Sequence, residues 1–153
     1  MEFEALKDSE FKSFSHKLPL GHEISSNGQN ISVIGNYRPD ISIKDASGTI
    51  QIVLESETKS DRKAFIGALT HAFKYADESN VSFTLVFVMK ETGSQTTVEQ
   101  VANNLRPYYV WLQGVVTTKL KGTFLISDDA YVKSKECGER ILSTEFQARC
   151  HRL

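Results

Sequence analysis

Three carboxylates stand at a spacing that suits a metal ion. Asn36-Tyr-Arg-Pro-Asp40 is followed by fourteen residues and then by Glu55-Ser-Glu57. Two residues apart on a strand, Glu55 and Glu57 point to the same face. The segment Asp40-Ile-Ser-Ile-Lys-Asp45 alternates apolar and polar side chains, and Thr49 to Glu55 runs through Ile50, Ile52, Val53 and Leu54, so the two read as a hairpin turning at Ser47-Gly48. A two-residue loop there pairs Ala46 with Thr49 and, counting outward, Asp40 with Glu55, about 5 Å apart at Cβ. Asp40, Glu55 and Glu57 then offer three hard oxygen ligands on one edge of the sheet. Such a set suits Mg²⁺, with Mn²⁺ as the alternative, the remaining positions being filled by water and phosphate. A phosphodiester is the natural substrate of this arrangement, because the metal neutralises its charge and lowers the pKa of an attacking water.

The elements that must position these residues follow from periodicity. Phe3, Leu6, Phe11 and Phe14 predict an amphipathic helix over Phe3 to Lys17, and the turn-rich stretch Gly21 to Asn30 reads as a loop. After Glu57 the period changes, and Phe65, Leu69, Ala72 and Phe73 mark one face of a helix from about Ser60, its N-cap, to Glu78. Val81 to Met89 is apolar throughout, as a strand buried on both faces would be. Thr96 to Leu105 predicts a helix ending before Pro107, Gly122 to Ser127 a strand, and Lys133 to about Arg149 a helical tail, while Tyr108 to Val116 is ambiguous. A strand meander followed by strand–helix–strand units implies a single α/β domain over 1–153, its sheet flanked by helices.

Composition bounds the functions open to such a domain. With 40% apolar and 24% charged residues the chain is that of an ordinary globular protein, neither disordered nor fibrous. Cys137 and Cys150 lie thirteen residues apart with no CxxC or Cys/His cluster, which argues against zinc and, with no signal peptide or apolar run long enough to span a bilayer, for a reduced cytoplasmic location without a membrane partner. A net charge of −1 weighs against nucleic acid, whose binders usually carry a basic excess. Lys119, Lys121, Lys133, Lys135, Arg140, Arg149 and Arg152 nevertheless bias the last quarter towards positive charge.

Pro39-Asp40 with Glu55-Ser-Glu57 resembles the active-site motif of the PD-(D/E)xK, or restriction-endonuclease-like, nuclease superfamily. Asp40 stands for its PD aspartate, Glu55 for its acidic residue, and Glu57 falls where most members have lysine. Lys59 and Lys63 are the candidates for a relocated lysine, Lys63 preferred because it begins the following helix. His71 and Tyr75, one turn apart on that helix, match the polar pair that many members use to orient substrate or water. The resemblance covers about Asn36 to Met89. It implies a restriction-endonuclease-like mixed central sheet and a Mg²⁺-dependent endonuclease of restriction or genome-defence type. Asp40, Glu55 and Glu57 would bind metal, with Glu57, Lys63 and His71 assisting. The partners implied are DNA before RNA, a second copy of the chain, and a partner protein to supply specificity.

Plainer readings stand beside these. Asp40 would close a turn after Pro39, Glu55 would pair with Arg62 or Lys63, Glu57 would be a solvated charge at a helix start, and His71 would pack. The alternative to an enzyme is a catalytically inactive member of the fold serving as a nucleic-acid-binding or protein-interaction subunit, which the glutamate in place of lysine favours.

Overall fold

Parallel neighbours on both edges and helices on both faces bury β4 (Thr84–Met89) along its whole length. A strand in that setting meets no water on either face, which is why its sequence, TLVFVM, shows no alternation. The structure is a computed structural model that describes residues 8–13, 15–57, 62–91 and 96–153. On one side of β4 runs β3 (Ile50–Glu57), on the other β5 (Gly122–Ser127), both parallel to it. Parallel pairs need crossovers, here α2 (Arg62–Ser79) and α3 (Val98–Val115). Beyond β3, β2 (Ile41–Lys44) and β1 (Glu23–Ser26) continue the sheet antiparallel, and β6 (His151–Arg152) adds an antiparallel edge beside β5. The result is a six-stranded mixed open sheet in the order β1-β2-β3-β4-β5-β6.

Strand alternation divides the core in two. Val53, Leu85, Phe87, Met89 and Leu125 face α2 and α3, whose Phe65, Leu69, Phe73, Val101 and Leu105 close over them. Ile41, Ile43, Ile52, Leu54, Val86, Val88 and Ile126 face the other way. That layer holds Phe11 of α1 (Asp8–Lys12), Tyr131 of α4 (Asp128–Glu136) and Phe146 of α5 (Thr144–Ala148). The α/β class with helices on both faces is therefore as the sequence implies. Among the described residues no helix is long and apolar enough to cross a membrane.

Four local expectations are corrected. The stretch around Ile24 is an edge strand, β1, three of whose four residues are exposed; its polar composition reflects that edge and hides the strand. Helix α3 continues through Pro107 to Val115. The proline sacrifices one hydrogen bond at a cost of about 3 kcal/mol. Burying Tyr109 and Leu112 in register with Val98, Val101 and Leu105 returns about 1.5–3 kcal/mol each. The C-terminal tail is two helices, since Gly138 adopts φ +69° just past α4 and Ser143 opens α5 by accepting from the Phe146 N–H. At the N-terminus α1 ends at Lys12, short of Lys17, and the expectation for residues 1–7 and 14 lies outside the described residues.

The hairpin between β2 and β3 also departs from its expected form. Asp45 donates its N–H to the Thr49 carbonyl (3.0 Å), so the loop holds three residues, Ala46, Ser47 and Gly48, with Gly48 at φ +86°. The Asp45 carboxylate ties it by accepting from the N–H groups of Ser47 and Thr49. A bulge at Gln51 then shifts the register, from Lys44 opposite Ile50 to Ile43 opposite Ile52. One extra loop residue and one bulged residue cancel. Ile41 faces Leu54, and the next position outward brings Asp40 to Glu55.

Candidate metal centre

The β2–β3 ladder stops at Ile41 and Leu54, and carboxylates take over where main-chain partners run out. The Asp40 N–H donates to Glu55 Oε1 (3.1 Å), and the Ser56 N–H donates to Asp40 Oδ2 (2.8 Å). Each acid therefore holds the opposite strand, and the two side chains are locked beside each other at the carboxyl end of β3. In open α/β sheets that end is where ligands bind.

Burial makes this pair electrostatically costly. Desolvation, then the neighbouring charge of Asp40, pushes the Glu55 carboxyl up from 4.5 to about 8. Glu57, two residues further along β3, is raised by the same two causes in the same order. Tyr37 is almost wholly enclosed; burial and then the charge of Glu55 raise its phenol well above its ordinary value, with Asp40 adding to the effect. Its hydroxyl has no hydrogen-bond partner among the described residues. A buried hydroxyl left so costs about 1–3 kcal/mol, and a water or ligand oxygen at the carboxylates would satisfy it.

A cation answers this acidity. The Lys12 ammonium, at the end of α1, lies 3.9 Å from Asp40 Oδ1 and draws the Glu55 carboxyl back down. The resemblance places the basic group downstream, at Lys59 or Lys63. Lys59 lies outside the described residues, and Lys63 is exposed on the first turn of α2. Nothing in the α1 sequence marks Lys12, because the contact spans almost thirty residues of chain and obeys no motif spacing. Tyr37 was equally hidden, its signal being only an aromatic residue three positions before Asp40.

His71 does not turn to the carboxylates. Its Nε2–H donates to the Asn36 carbonyl (2.8 Å), and its ring meets Tyr37 edge-on with centroids 5.0 Å apart. Tyr75 stacks on the same tyrosine at 5.0 Å and 24°. The pair one turn apart thus grips the Asn36–Tyr37 segment that leads into Pro39 and Asp40. The hydrogen bond and ring contact of His71 go to the loop that carries Asp40. Among acidic residues earlier in the chain, Glu23 lies at the far end of β2, 3.5 Å from Lys44, Glu10 is exposed on α1, and Glu4 is outside the described residues.

Among the described residues no three of His, Cys, Asp and Glu converge as a ready-made metal cage. Asp40 and Glu55 are brought together, and Glu57 stands a step beyond them on the same face of β3. Two adjacent carboxylates with a buried, unsatisfied hydroxyl nearby nevertheless fit Mg²⁺, which keeps several waters and takes one or two carboxylates from the protein. A cleft of about 330 Å³ is lined by Lys12, Ser13, Ile24, Asn27 and Ile41.

Three of the C-terminal basic residues have partners away from the carboxylates. Lys121 bonds to Gln51 at the opposite end of β3, Arg149 pairs with Glu139 (2.9 Å), and Arg152 lies over the Phe124 ring. Comparison with protein-family models, with curated proteins and with solved structures yields no match to this chain.

Proposed function

We propose that this chain is a metal-dependent endonuclease that hydrolyses phosphodiester bonds in nucleic acid, DNA before RNA, on a restriction-endonuclease-like version of its α/β sheet. The observation that carries the reading is the reciprocal bridge of Asp40 and Glu55, two half-buried carboxylates held side by side at a strand end, where burial and the charge of Asp40 push the Glu55 carboxyl up to about 8. Asp40 and Glu55 hold Mg²⁺ or Mn²⁺, and Glu57 stands where it can accept a proton from the attacking water. The Tyr37 hydroxyl orients that water, while His71 and Tyr75 keep the Asn36–Asp40 segment in place. Bound there, the cation supplies charge neutralisation to the phosphodiester and a lowered water pKa. Cutting both strands of a duplex takes two such sites, so a homodimer belongs to this reading; the exposed Tyr108, Val110, Trp111 and Val115 on α3 give it an apolar surface.

The test is cleavage of supercoiled plasmid and of short DNA and RNA with Mg²⁺, Mn²⁺ or EDTA. Metal-dependent cutting lost in both Asp40→Ala and Glu55→Ala is expected. Absence of cutting under every condition favours the second reading, a non-catalytic nucleic-acid-binding or protein-interaction subunit working with a partner. That reading draws on Glu57 standing in place of the lysine, and on the main-chain hydrogen bonds that give Asp40 and Glu55 structural work of their own.

A further inference from the structure

The half of α3 beyond Pro107 is apolar on both of its sides, and the fold of one chain buries only one of them. The inner side places Tyr109 and Leu112 in the core, in line with Val101 and Leu105. On the outer side Tyr108, Val110, Trp111 and Val115 are exposed by 42%, 63%, 64% and 59%. From Pro107 to Thr118 no residue carries a charge. Arg106, just before that stretch, donates to Asn103 Oδ1 (2.8 Å) one turn back. A solvated helix face is normally polar, and a helix that is apolar all round is covered all round. The face is also held rigid. The Thr117 and Thr118 N–H groups both donate to Asp77 Oδ1 of α2 (3.0 Å each), which fixes the end of α3 where the apolar stretch stops.

Shape and charge favour a second copy of the same helix. Gly114 follows Trp111 by three residues, on the neighbouring turn of the same face, and a Cβ there would meet nothing within 4 Å. A large ring and a bare stretch of backbone thus lie side by side. Two antiparallel helices related by a twofold axis reverse that order, so each Trp111 meets the partner's Gly114 and the backbones can approach closely. At 1.5 Å of rise per residue the same axis brings Tyr108 to within about 3 Å, measured along the helix, of the partner's Val115. Because the stretch is uncharged, no like charges meet across the axis. We infer that two copies of this chain pair through the outer faces of α3, antiparallel, with each Trp111 seated on the partner's Gly114. Each face offers ~300–600 Å², the size of the largest patch on an ordinary monomer, and two together reach ~1,000 Å², the threshold of a specific interface. The pair is therefore reversible, with a micromolar Kd. Helix α3 packs over β5 and β6, whereas the Asp40–Glu55 pair joins β2 to β3, so pairing leaves both carboxylate sites uncovered. Pairing does not rest on the phosphodiester reading, which calls for two sites and leaves open how they meet.

Trp111 is the sole tryptophan of the chain, so its emission reports on this face directly. Sedimentation equilibrium of the full chain and Trp111 emission are followed together from about 1 to about 300 µM, a range that brackets a micromolar Kd. Expected is a monomer–dimer equilibrium whose midpoint coincides with a blue shift of the emission as concentration rises. Gly114→Leu should weaken the dimer by about 10-fold or more, because the added side chain fills the seat of the ring. The same variant should keep or raise the Tm of the monomer, since leucine is the better helix former at a position that is open there. Trp111→Glu should remain a monomer throughout; if it does not fold, Val115→Glu carries the same test at the edge of the face. A dimer whose emission does not move, or that Gly114→Leu leaves as tight as the wild type, places the contact elsewhere and overturns the inference. A wild type that is monomeric at every concentration also overturns it and assigns the face to a different protein. Metal-dependent nicking of supercoiled plasmid needs a single carboxylate site and is read in its own assay, so pairing and cleavage can each fail alone.

Discussion

Asp40 and Glu55 each hold the other's strand: the N–H of Asp40 is bound by the Glu55 carboxylate, while the Asp40 carboxylate binds the N–H next after Glu55. The acids therefore serve two purposes that pull apart. As hydrogen-bond acceptors they terminate the β2–β3 ladder, and as two charges in contact they oppose burial. Their energetics can be read separately by titration.

Glu55 should make the protein less stable as pH rises. Its folded pKa of about 8 exceeds the ordinary 4.5, so the folded state holds the proton more tightly than the unfolded one. Stability is then highest below pH 4.5 as far as this group is concerned, and is lost as pH rises towards 8. Glu55→Gln keeps an acceptor for the Asp40 N–H and removes the charge. Urea titrations at pH 5 and pH 8 should show the variant stabilised at pH 8 by up to about 4 kcal/mol and little changed at pH 5. An equal effect at both values would mean that Glu55 is ionised throughout.

Mg²⁺ should reverse that loss. A cation at the pair displaces the proton from Glu55, so its binding tightens as pH rises and releases a proton when it occurs below pH 8. At a hundredfold excess over Kd a ligand confined to the folded state adds about 2.7 kcal/mol. Thermal melts with 10-fold steps of Mg²⁺ should rise at pH 8, rise less at pH 5, and stay flat for Asp40→Ala. A rise that persists in Asp40→Ala would place the cation elsewhere.

These two acids were legible in the sequence because strand alternation is strict: once Asp40-Ile-Ser-Ile-Lys and Ile-Gln-Ile-Val-Leu-Glu pair as a hairpin, only a register question remains. The register came out as expected although the loop did not. The third loop residue and the Gln51 bulge each displace the pairing by one, in opposite senses. Neither has a strong signature, since Ser47-Gly48 suits two-residue and three-residue loops alike. Helix α3 outruns its local signal because Pro107 is a stop signal in the sequence, while the burial of Tyr109 and Leu112 that outweighs it belongs to the tertiary fold. Lys12 and Tyr37 were illegible for a related reason. Each is placed by packing against residues far along the chain, and periodicity states which face of an element is buried without stating against what.

Tyr37→Phe should separate stability from activity. The buried hydroxyl has no partner among the described residues, so deleting it removes a desolvated dipole and leaves the ring stacked on Tyr75 with His71 edge-on to it. Stability should be unchanged or rise by about 1 kcal/mol. Cleavage should fall, because the water oriented by that hydroxyl loses a partner. A variant that is destabilised by more than about 1 kcal/mol would show that a structural water already satisfies Tyr37 and that the group is part of the scaffold.

His71→Ala should act on the site from a distance. It removes the hydrogen bond to the Asn36 carbonyl, worth about 1 kcal/mol, and the edge contact with Tyr37. The Asn36–Asp40 segment then loses one of its holds, while the Tyr75 ring and the main-chain hydrogen bonds of Tyr37 to Asn30 and Ile31 remain. Because Asp40 itself is untouched, the expected signature is weakened Mg²⁺ binding that higher Mg²⁺ restores, with the rate at saturation close to wild type. A rate that stays depressed at saturating metal would instead put the imidazole in contact with substrate.

His16 should couple acid pH to the seating of α1, and so to Lys12. Its Nε2–H donates to the Tyr131 carbonyl (3.0 Å), its ring lies 4.3 Å from that of Tyr131, and Phe146 meets it edge-on. Burial, aided by the charge of Lys135 and opposed by the Tyr131 carbonyl and Glu139, lowers its pKa from 6.5 to about 4. The unfolded chain therefore binds the proton first. The stability held by neutral His16 is complete above pH 6.5 and is lost as pH falls to 4, by up to about 3 kcal/mol. This slope runs against that of Glu55, so between pH 4.5 and 6.5 the two offset each other, and the net loss falls between pH 6.5 and 8. An NMR titration of the His16 ring protons should give an apparent pKa near 4, and His16→Phe should steepen the decline of stability with rising pH over 4.5–6.5. A ring that titrates near 6.5 would mean that α1 is not packed against α4 in solution, which would also loosen the hold of Lys12 on Asp40.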